Sequence, residues 1–95
     1  MKTSKVDILF NTGRKTYTDF FTVIYLPTNE VGEVCISAPI KKFPKAVDRN
    51  RVKRLIKAVL VNYDFSKFDI FLIYRPTDIK SYVEINNDIK TIELK

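Results

Sequence analysis

Residues 46–57 read AVDRNRVKRLIK, and this stretch decides how the surrounding chain is interpreted. Together with the residues that follow, it places apolar side chains at intervals of three and four, the spacing that puts them on one side of an α-helix. The pattern predicts a helix that begins at Pro44 or Lys45 and runs to about residue 62. Its buried stripe would comprise Val52, Leu55, Ile56, Val59 and Leu60.

The polar side of the same predicted helix is strongly basic. Two neighbouring ridges of side chains point away from the apolar stripe, and Arg51 lies on the other flank. Arg49 sits at the edge of the stripe, so its side chain can instead reach over the preceding loop. One ridge consists of Arg49, Lys53 and Lys57, and the other of Asn50 and Arg54.

The positive charge of the chain is concentrated around this helix. Between Lys41 and Lys57, eight basic residues accompany the single acid Asp48, while the rest of the chain carries nine basic and ten acidic residues. Solvated helix faces usually alternate in sign, so a patch without compensating acids indicates a polyanionic partner. Arginine grips phosphate with two nitrogens, and Asn50 can read a base edge or a 2′-hydroxyl, which suits a folded RNA.

Seven elements are predicted in the order helix, strand, strand, strand, helix, strand, helix. Ser4 would cap the first helix and Gly13 would end it. The last strand is almost continuously apolar, so we expect it at the centre of the sheet, covered on both faces. The second and third strands are expected to pair as an antiparallel hairpin, and Thr77 or Asp78 to cap the last helix. The helices cover about 5–12, 44–62 and 79–92, and the strands 14–17, 19–26, 33–38 and 68–75.

Length and composition restrict what such a chain does. Its 95 residues suit one domain, 1–95, with a small α/β (α+β) two-layer sandwich fold. A single cysteine, Cys35, excludes an internal disulfide, and the absence of histidine removes the usual general base. Cys35 lies among apolar strand neighbours and suits the core better than a nucleophile role. No apolar run is long enough to cross a membrane, so we expect a cytoplasmic protein. Without histidine and with one cysteine, we also expect no catalytic and no metal-ligating residues.

Residues 46–56 resemble the signature of the protein subunit of bacterial ribonuclease P. The family pattern Ala-Val-x-Arg-Asn-Arg-x-Lys-Arg-Leu-x-Arg is matched at every fixed position except the last, which is Lys57 here. Leu9-Phe10-x-x-Gly13 is similar to the end of the family's first helix, and the strand segments 21–25 and 68–75 resemble family strands. The family also has a strand that ends in Ser-Val-x-Lys-Lys, and this end resembles residues 36–39 followed by Lys41-Lys42. Ile40 stands where a third basic residue is common in the family.

The resemblance implies a fold, a function and partners. The fold would be ribosomal protein S5-like, with a left-handed strand–helix–strand crossover between residues 33–38 and 68–75, although packing statistics favour a right-handed one. A large RNA would catalyse magnesium-dependent removal of the 5′ leader from precursor tRNA, with Mg²⁺ at the RNA active site. The chain would bind that catalytic RNA and the precursor tRNA. It would not associate with a membrane and would need no obligatory protein partner.

The resemblance also assigns site residues. Catalytic-RNA binding falls to Lys45, Arg49, Asn50, Arg51, Lys53, Arg54 and Lys57. A cleft between the sheet and the first helix would receive the leader, because single strands bind where aromatic faces lie beside positive charge. Each aromatic candidate also suits the core. The leader residues would be Phe10, Phe21, Tyr25, Ser37, Lys41, Lys42 and Arg75.

Two other interpretations fit the same basic helix. A ribosomal or assembly protein would hold structured RNA in the same way, without any part in tRNA processing. Binding of DNA through a major-groove helix is less favoured, because no paired helix or dimer element suggests the required geometry. Crosslinks from a substrate leader to Phe10, Phe21 and Lys42 would distinguish the ribonuclease P interpretation.

Overall fold

The computed structural model describes residues 3–94, which form three helices and a four-stranded sheet in the predicted order. None of these helices has the length and apolar character that crossing a membrane requires. The elements are α1 (Thr3–Thr12), β1 (Arg14–Tyr17), β2 (Phe21–Pro27), β3 (Val34–Ser37), α2 (Ala46–Leu60), β4 (Phe68–Tyr74) and α3 (Tyr82–Ile89).

The strands lie in the order β1-β2-β4-β3 across the sheet. The predicted hairpin between β2 and β3 is wrong, because β4 lies between them and pairs with both. β4 is antiparallel to β2, with Tyr25 opposite Ile70, and parallel to β3, with Ile36 opposite Leu72. The central position predicted for β4 is confirmed. Parallel neighbours need a long connection, and here α2 provides it between β3 and β4.

Strand alternation gives the sheet two different faces. One face packs against α2 and α3, and together they form the main hydrophobic core. Of the predicted α2 stripe, three residues are fully buried, while Leu55 and Leu60 are half-buried. The strands contribute Phe21, Val23, Tyr25, Ile70, Leu72 and Tyr74, and the helices contribute Val52, Ile56, Val59, Ile85 and Ile89.

The opposite face of the sheet is only partly covered, by α1. Leu9 of α1 is buried, and Phe71 and Ile73 of β4 remain half-buried, so cover on this side of β4 is incomplete. Gly13 allows the exit of α1 to approach the sheet, because a Cβ there would lie 2.8 Å from the Ile24 side chain of β2. We call this surface the open face; it comprises Lys15, Tyr17, Thr22, Ile24, Cys35, Ser37, Asp69, Phe71 and Ile73, together with Phe10 above it.

Two predicted helix starts are wrong. Ser4 lies inside α1, which already begins at Thr3, so Ser4 is not its cap. α3 begins at Tyr82 because Ser81 and Glu84 form a capping box: the Ser81 hydroxyl accepts the Glu84 N–H at 3.2 Å, and the Ser81 N–H donates to the Glu84 carboxylate at 3.4 Å.

Residues 78–80 are instead held in a turn by Tyr74. Its buried hydroxyl donates to the Asp78 carbonyl and accepts the Lys80 N–H, both at 2.9 Å. Burial raises the pKa of Tyr74, so the phenol stays protonated. The Asp78 carboxylate, 3.1 Å from the Lys80 ammonium, raises the pKa of Lys80. The Asp78 carbonyl, which would accept an intrahelical N–H in a helix beginning there, is thus occupied by the Tyr74 hydroxyl.

Candidate nucleic-acid interface

The side of α2 opposite the core presents a row of basic side chains to solvent. Val52, Ile56 and Val59 are completely buried, and this fixes the rotation of the helix about its axis. The helix begins after Lys45, whose side chain is exposed. We call the row the basic arc; it comprises Lys45, Asn50, Arg51, Arg54 and Lys57, all exposed, and the half-buried Lys53.

The positive charges of the basic arc are not neutralised within the described chain. Ion pairs found among residues 3–94 join Lys5 to Glu33 and Asp69, and Lys80 to Asp78, so none involves the arc. The one acid of α2 is Asp48, which lies in the first turn, where a carboxylate interacts favourably with the helix dipole. The arc is therefore a concentrated positive surface, as the sequence predicts.

Arg49 differs from the basic arc. Its side chain is half-buried and turns back over the loop before α2, where one terminal nitrogen donates to the carbonyls of Phe43 and Pro44, each at 2.9 Å. This confirms the alternative in which Arg49 reaches over the loop. Its hydrogen bonds are used to hold residues 43–44, so the arc, rather than Arg49, carries the charges available to a ligand.

Two of the predicted leader residues meet on the open face. Phe10 is 44% exposed and contacts Phe71 edge to face, with ring centroids 5.1 Å apart. Ser37, half-buried on β3, pairs with Ile73 of β4 and shares this face. Phe71 was not among the residues predicted for this surface. Its position could have been found by alternation, since Ile70 and Leu72 have the parity that faces the core.

Phe21 and Tyr25 do not belong to this surface. Phe21 is 0% exposed and packs against Tyr74, and Tyr25 is 7% exposed and packs against Phe68. Both side chains point to the opposite side of the sheet, where α2 and α3 cover them. Their assignment to the leader site is therefore corrected: both rings are part of the hydrophobic core.

Among the predicted leader cations, Lys41 is exposed, but Lys42 and Arg75 are half-buried and hold the chain together. The Lys42 ammonium donates to the Arg75 carbonyl, and the Arg75 guanidinium donates to the Thr18 carbonyl. The guanidinium carbon also lies 5.9 Å from the ring centroid of Tyr17. The Arg75 Nε is buried and has no hydrogen-bond partner among residues 3–94. These two cations therefore join the loop after β3 and the turn after β1 to the end of β4.

The β1 strand adds two residues that the sequence analysis did not assign. Tyr17 is opposite Thr22 and Lys15 is opposite Ile24, so both lie on the open face, and both are exposed. The following turn is held by the buried carboxylate of Asp88. It accepts the Thr18 hydroxyl at 2.6 Å and the N–H groups of residues 19 and 20 at 3.0 and 3.2 Å. A ring and an ammonium group thus border the face at a fixed edge.

Comparison with known proteins gives consistent matches. The family described as Ribonuclease P matches residues 1–93. The ribonuclease P protein component of Clostridium kluyveri is 36% identical over 86 residues, which cover 82% of this chain and 76% of that protein. The corresponding protein of Nitratiruptor is 29% identical over 87 residues, covering 92% and 74%.

Solved structures match the fold over almost its whole length. The RNase P protein of Staphylococcus aureus superimposes with a TM-score of 0.81 at 22% identity, covering 95% of this chain and 86% of that one. The RNase P protein of Thermotoga maritima gives 0.81 at 17% identity, covering 95% and 90%. These matches establish a mixed helix-and-sheet fold shared with both proteins.

Proposed function

Because the chain belongs to the ribonuclease P protein family, we propose that it binds the catalytic RNA through the basic arc and the 5′ leader of precursor tRNA through the open face. Proteins of this family are accessory subunits of an endoribonuclease that is a ribonucleoprotein. In the proposal, the protein holds the leader so that the RNA removes it in a magnesium-dependent hydrolysis, which matures the tRNA 5′ end.

The observation that carries the first half of the proposal is the unpaired basic arc. Its cations are held on a helix whose other side is locked in the core, so they need not leave internal carboxylates to reach phosphate. Each phosphate neutralised releases condensed counterions, and engaging about five of them would give a log–log salt slope of about −4.5. Asn50 would add a contact to a base edge or a 2′-hydroxyl.

The second half of the proposal is supported by the rings of the open face. Phe10 and Phe71 form a pair that is partly accessible, and Tyr17 is 64% exposed on β1. Unpaired bases stack on such rings without regard to sequence, and the exposed Lys15 and Lys41 supply nearby charge for the backbone. Ser37 offers a hydroxyl on the same surface.

Acidic side chains within residues 3–94 do not gather into a metal-binding cluster. Nowhere in residues 3–94 do three or more His, Cys, Asp or Glu side chains lie together in a way that could hold a metal. In the proposal, Mg²⁺ is bound by the RNA, as the family resemblance implies, and it supplies charge stabilisation for the hydrolysis. The protein binds and orients the leader.

The second candidate is a protein that binds structured RNA without a role in tRNA processing. The basic arc alone would serve that function equally well. The exposed rings of the open face favour the first candidate, because a protein that grips only a folded RNA has no need for a second surface suited to a single strand.

Reconstitution tests the proposed function directly. The protein is added to a bacterial ribonuclease P RNA at low magnesium, with a precursor tRNA that carries a leader. We expect cleavage at the mature 5′ end to rise well above that of the RNA alone. The R51A/R54A double variant, which lacks two arc cations, should require more protein for the same rescue. Equal cleavage with and without the wild-type protein would overturn the proposal.

A further inference from the structure

Asp69 is a buried carboxylate that joins three separate parts of the chain. It is 8% exposed, and as the second residue of β4 it shares the open face with Phe71. Its Oδ1 accepts the backbone N–H of Glu33, just before β3, at 3.0 Å. The same oxygen accepts the Lys5 ammonium of α1 at 3.4 Å. A charged group is this deeply buried only when it is paired with an opposite charge and hydrogen-bonded. The Asp69 carboxylate meets both conditions.

Lys5 attaches the first half of α1 to the rest of the chain, with its ammonium 3.4 Å from the Asp69 carboxylate and 3.8 Å from that of Glu33. α1 has ten residues, a length at which an isolated helix is marginal in water. Its other end is anchored by Leu9, which is 1% exposed. Phe10 stands five residues beyond Lys5, about 7.5 Å along the helix axis. The tilt of α1 on the sheet therefore sets the position of Phe10.

We propose that Asp69 is a positioning residue of the leader site: by binding Lys5 it sets the spacing between α1 and the sheet, and so aligns the Phe10 ring with Phe71. The inference rests on the proposed function, since it takes the open face to be the surface that receives the leader. Asp69 itself touches no leader nucleotide. Its carboxylate acts through α1, and the basic arc on the other side of the sheet does not depend on it.

Asp69→Asn tests the idea, because it removes the nearer of the two carboxylate charges that attract Lys5, while its amide oxygen still accepts the Glu33 N–H. The variant is assembled with the catalytic RNA, and affinity is measured for precursor tRNA with a leader and for mature tRNA. We expect the preference for the leader-bearing substrate to fall by at least about fivefold, the lower end of coupling between linked sites. Affinity for the catalytic RNA should stay unchanged, which a general loss of structure would not allow.

The direction in which the leader preference changes distinguishes a positioning role of Asp69 from an effect of net charge. Asp69→Asn raises the formal net charge of +6 by one unit, so electrostatics alone would tighten binding of the leader. Asp7→Asn makes the same change on the exposed side of α1, where the carboxylate has no hydrogen bond or ion pair within residues 3–94, and should leave the preference unchanged or slightly greater.

A second variant keeps the inference testable if Asp69→Asn folds poorly, as thermal unfolding would show. Lys5→Gln preserves the bond between Asp69 and Glu33 and should reduce the leader preference, whereas Lys90→Gln, an equal charge loss beyond α3, should not. A wild-type preference in folded Asp69→Asn or Lys5→Gln would overturn the inference. Absence of any leader preference in the wild-type holoenzyme would instead overturn the proposed function.

Discussion

The basic arc and the open face are both candidate RNA surfaces, yet they are built in opposite ways. The arc comes from one helix and its N-cap, and its cations have no carboxylate partners among residues 3–94. The open face draws on α1 and all four strands, and three of the cations around it, Lys5, Lys42 and Arg75, are engaged in bonds to the chain itself. The arc offers cations that have no carboxylate partner among residues 3–94. The open face offers partly exposed rings beside cations that bind other groups of the chain.

This difference implies two modes of binding. Contacts between free cations and phosphates weaken steeply as salt rises, because counterions are released. Stacking of bases on rings depends much less on salt, because it removes apolar surface from water and pairs no charges. We therefore expect binding of the catalytic RNA to be far more salt-sensitive than the additional affinity that a leader contributes.

The largest expected effect concerns a ring that the sequence assigned to the open face and the structure assigns to the core. Phe21→Ala removes a completely buried side chain and should lower the free energy of unfolding by about 3–5 kcal/mol, a large part of the stability of a chain this size. Urea unfolding followed by circular dichroism measures the loss. A decrease below about 1 kcal/mol would mean that Phe21 is not a core residue after all.

Removal of two arc cations should leave the fold intact and weaken RNA binding. Arg51→Ala with Arg54→Ala is expected to cost about 2–4 kcal/mol of affinity for the catalytic RNA, since contacts between charged groups and phosphate are the strong ones. The salt slope should become shallower by about 2, one unit for each lost phosphate contact. Filter binding across a range of salt concentrations measures both.

The matched control is Lys67→Ala with Lys90→Ala, which removes the same charge from exposed positions outside the arc. It should change the slope little. Equal losses in the two double variants would show that net charge alone, and not the arrangement of the arc, determines affinity.

The sequence predicted the arc well because a single helix encodes it. Once Val52, Ile56 and Val59 define the buried side, the periodicity of the helix determines where Asn50 and Arg54 point. The order of elements and the central strand also followed from local patterns. The strand pairing did not, because apolar alternation in β2 and β3 is equally compatible with direct pairing and with an intervening strand.

The open face was harder to predict because it depends on contacts between distant segments. Which parity of β2 faces α2 is a property of the packed sheet, so Phe21 and Tyr25 were assigned to the wrong side and Phe71 was missed. The roles of Lys42 and Arg75 depend on carbonyl groups that only the folded chain brings near them. The start of α3 could have been predicted from the sequence, because Ser81 and Glu84, three residues later, form a capping-box pattern.

A smaller effect is expected for the ring that does lie on the open face. Phe10→Ala should reduce leader-dependent affinity by about 1–3 kcal/mol, the range for loss of one base-stacking ring. Its stability should fall far less than that of Phe21→Ala, because 44% of the side chain is already exposed. Fluorescence titration with precursor and mature tRNA measures the difference; Phe10→Tyr, which keeps a ring, should bind as the wild type does. An unchanged leader preference in Phe10→Ala would exclude Phe10 from the site.

The smallest effect separates Arg49 from its neighbours on α2. Its guanidinium donates to the Phe43 and Pro44 carbonyls, one contact partly buried and the other exposed, so Arg49→Ala should lower the free energy of unfolding by about 0.5–1.5 kcal/mol. Arg54→Ala, which breaks no side-chain bond found within the described part of the chain, should change it by less than about 0.5 kcal/mol. In RNA binding the order should reverse, with Arg54→Ala the weaker binder. If Arg49→Ala instead kept full stability and lost the most RNA affinity, Arg49 would belong to the basic arc, and its contact with the loop would be one that RNA displaces.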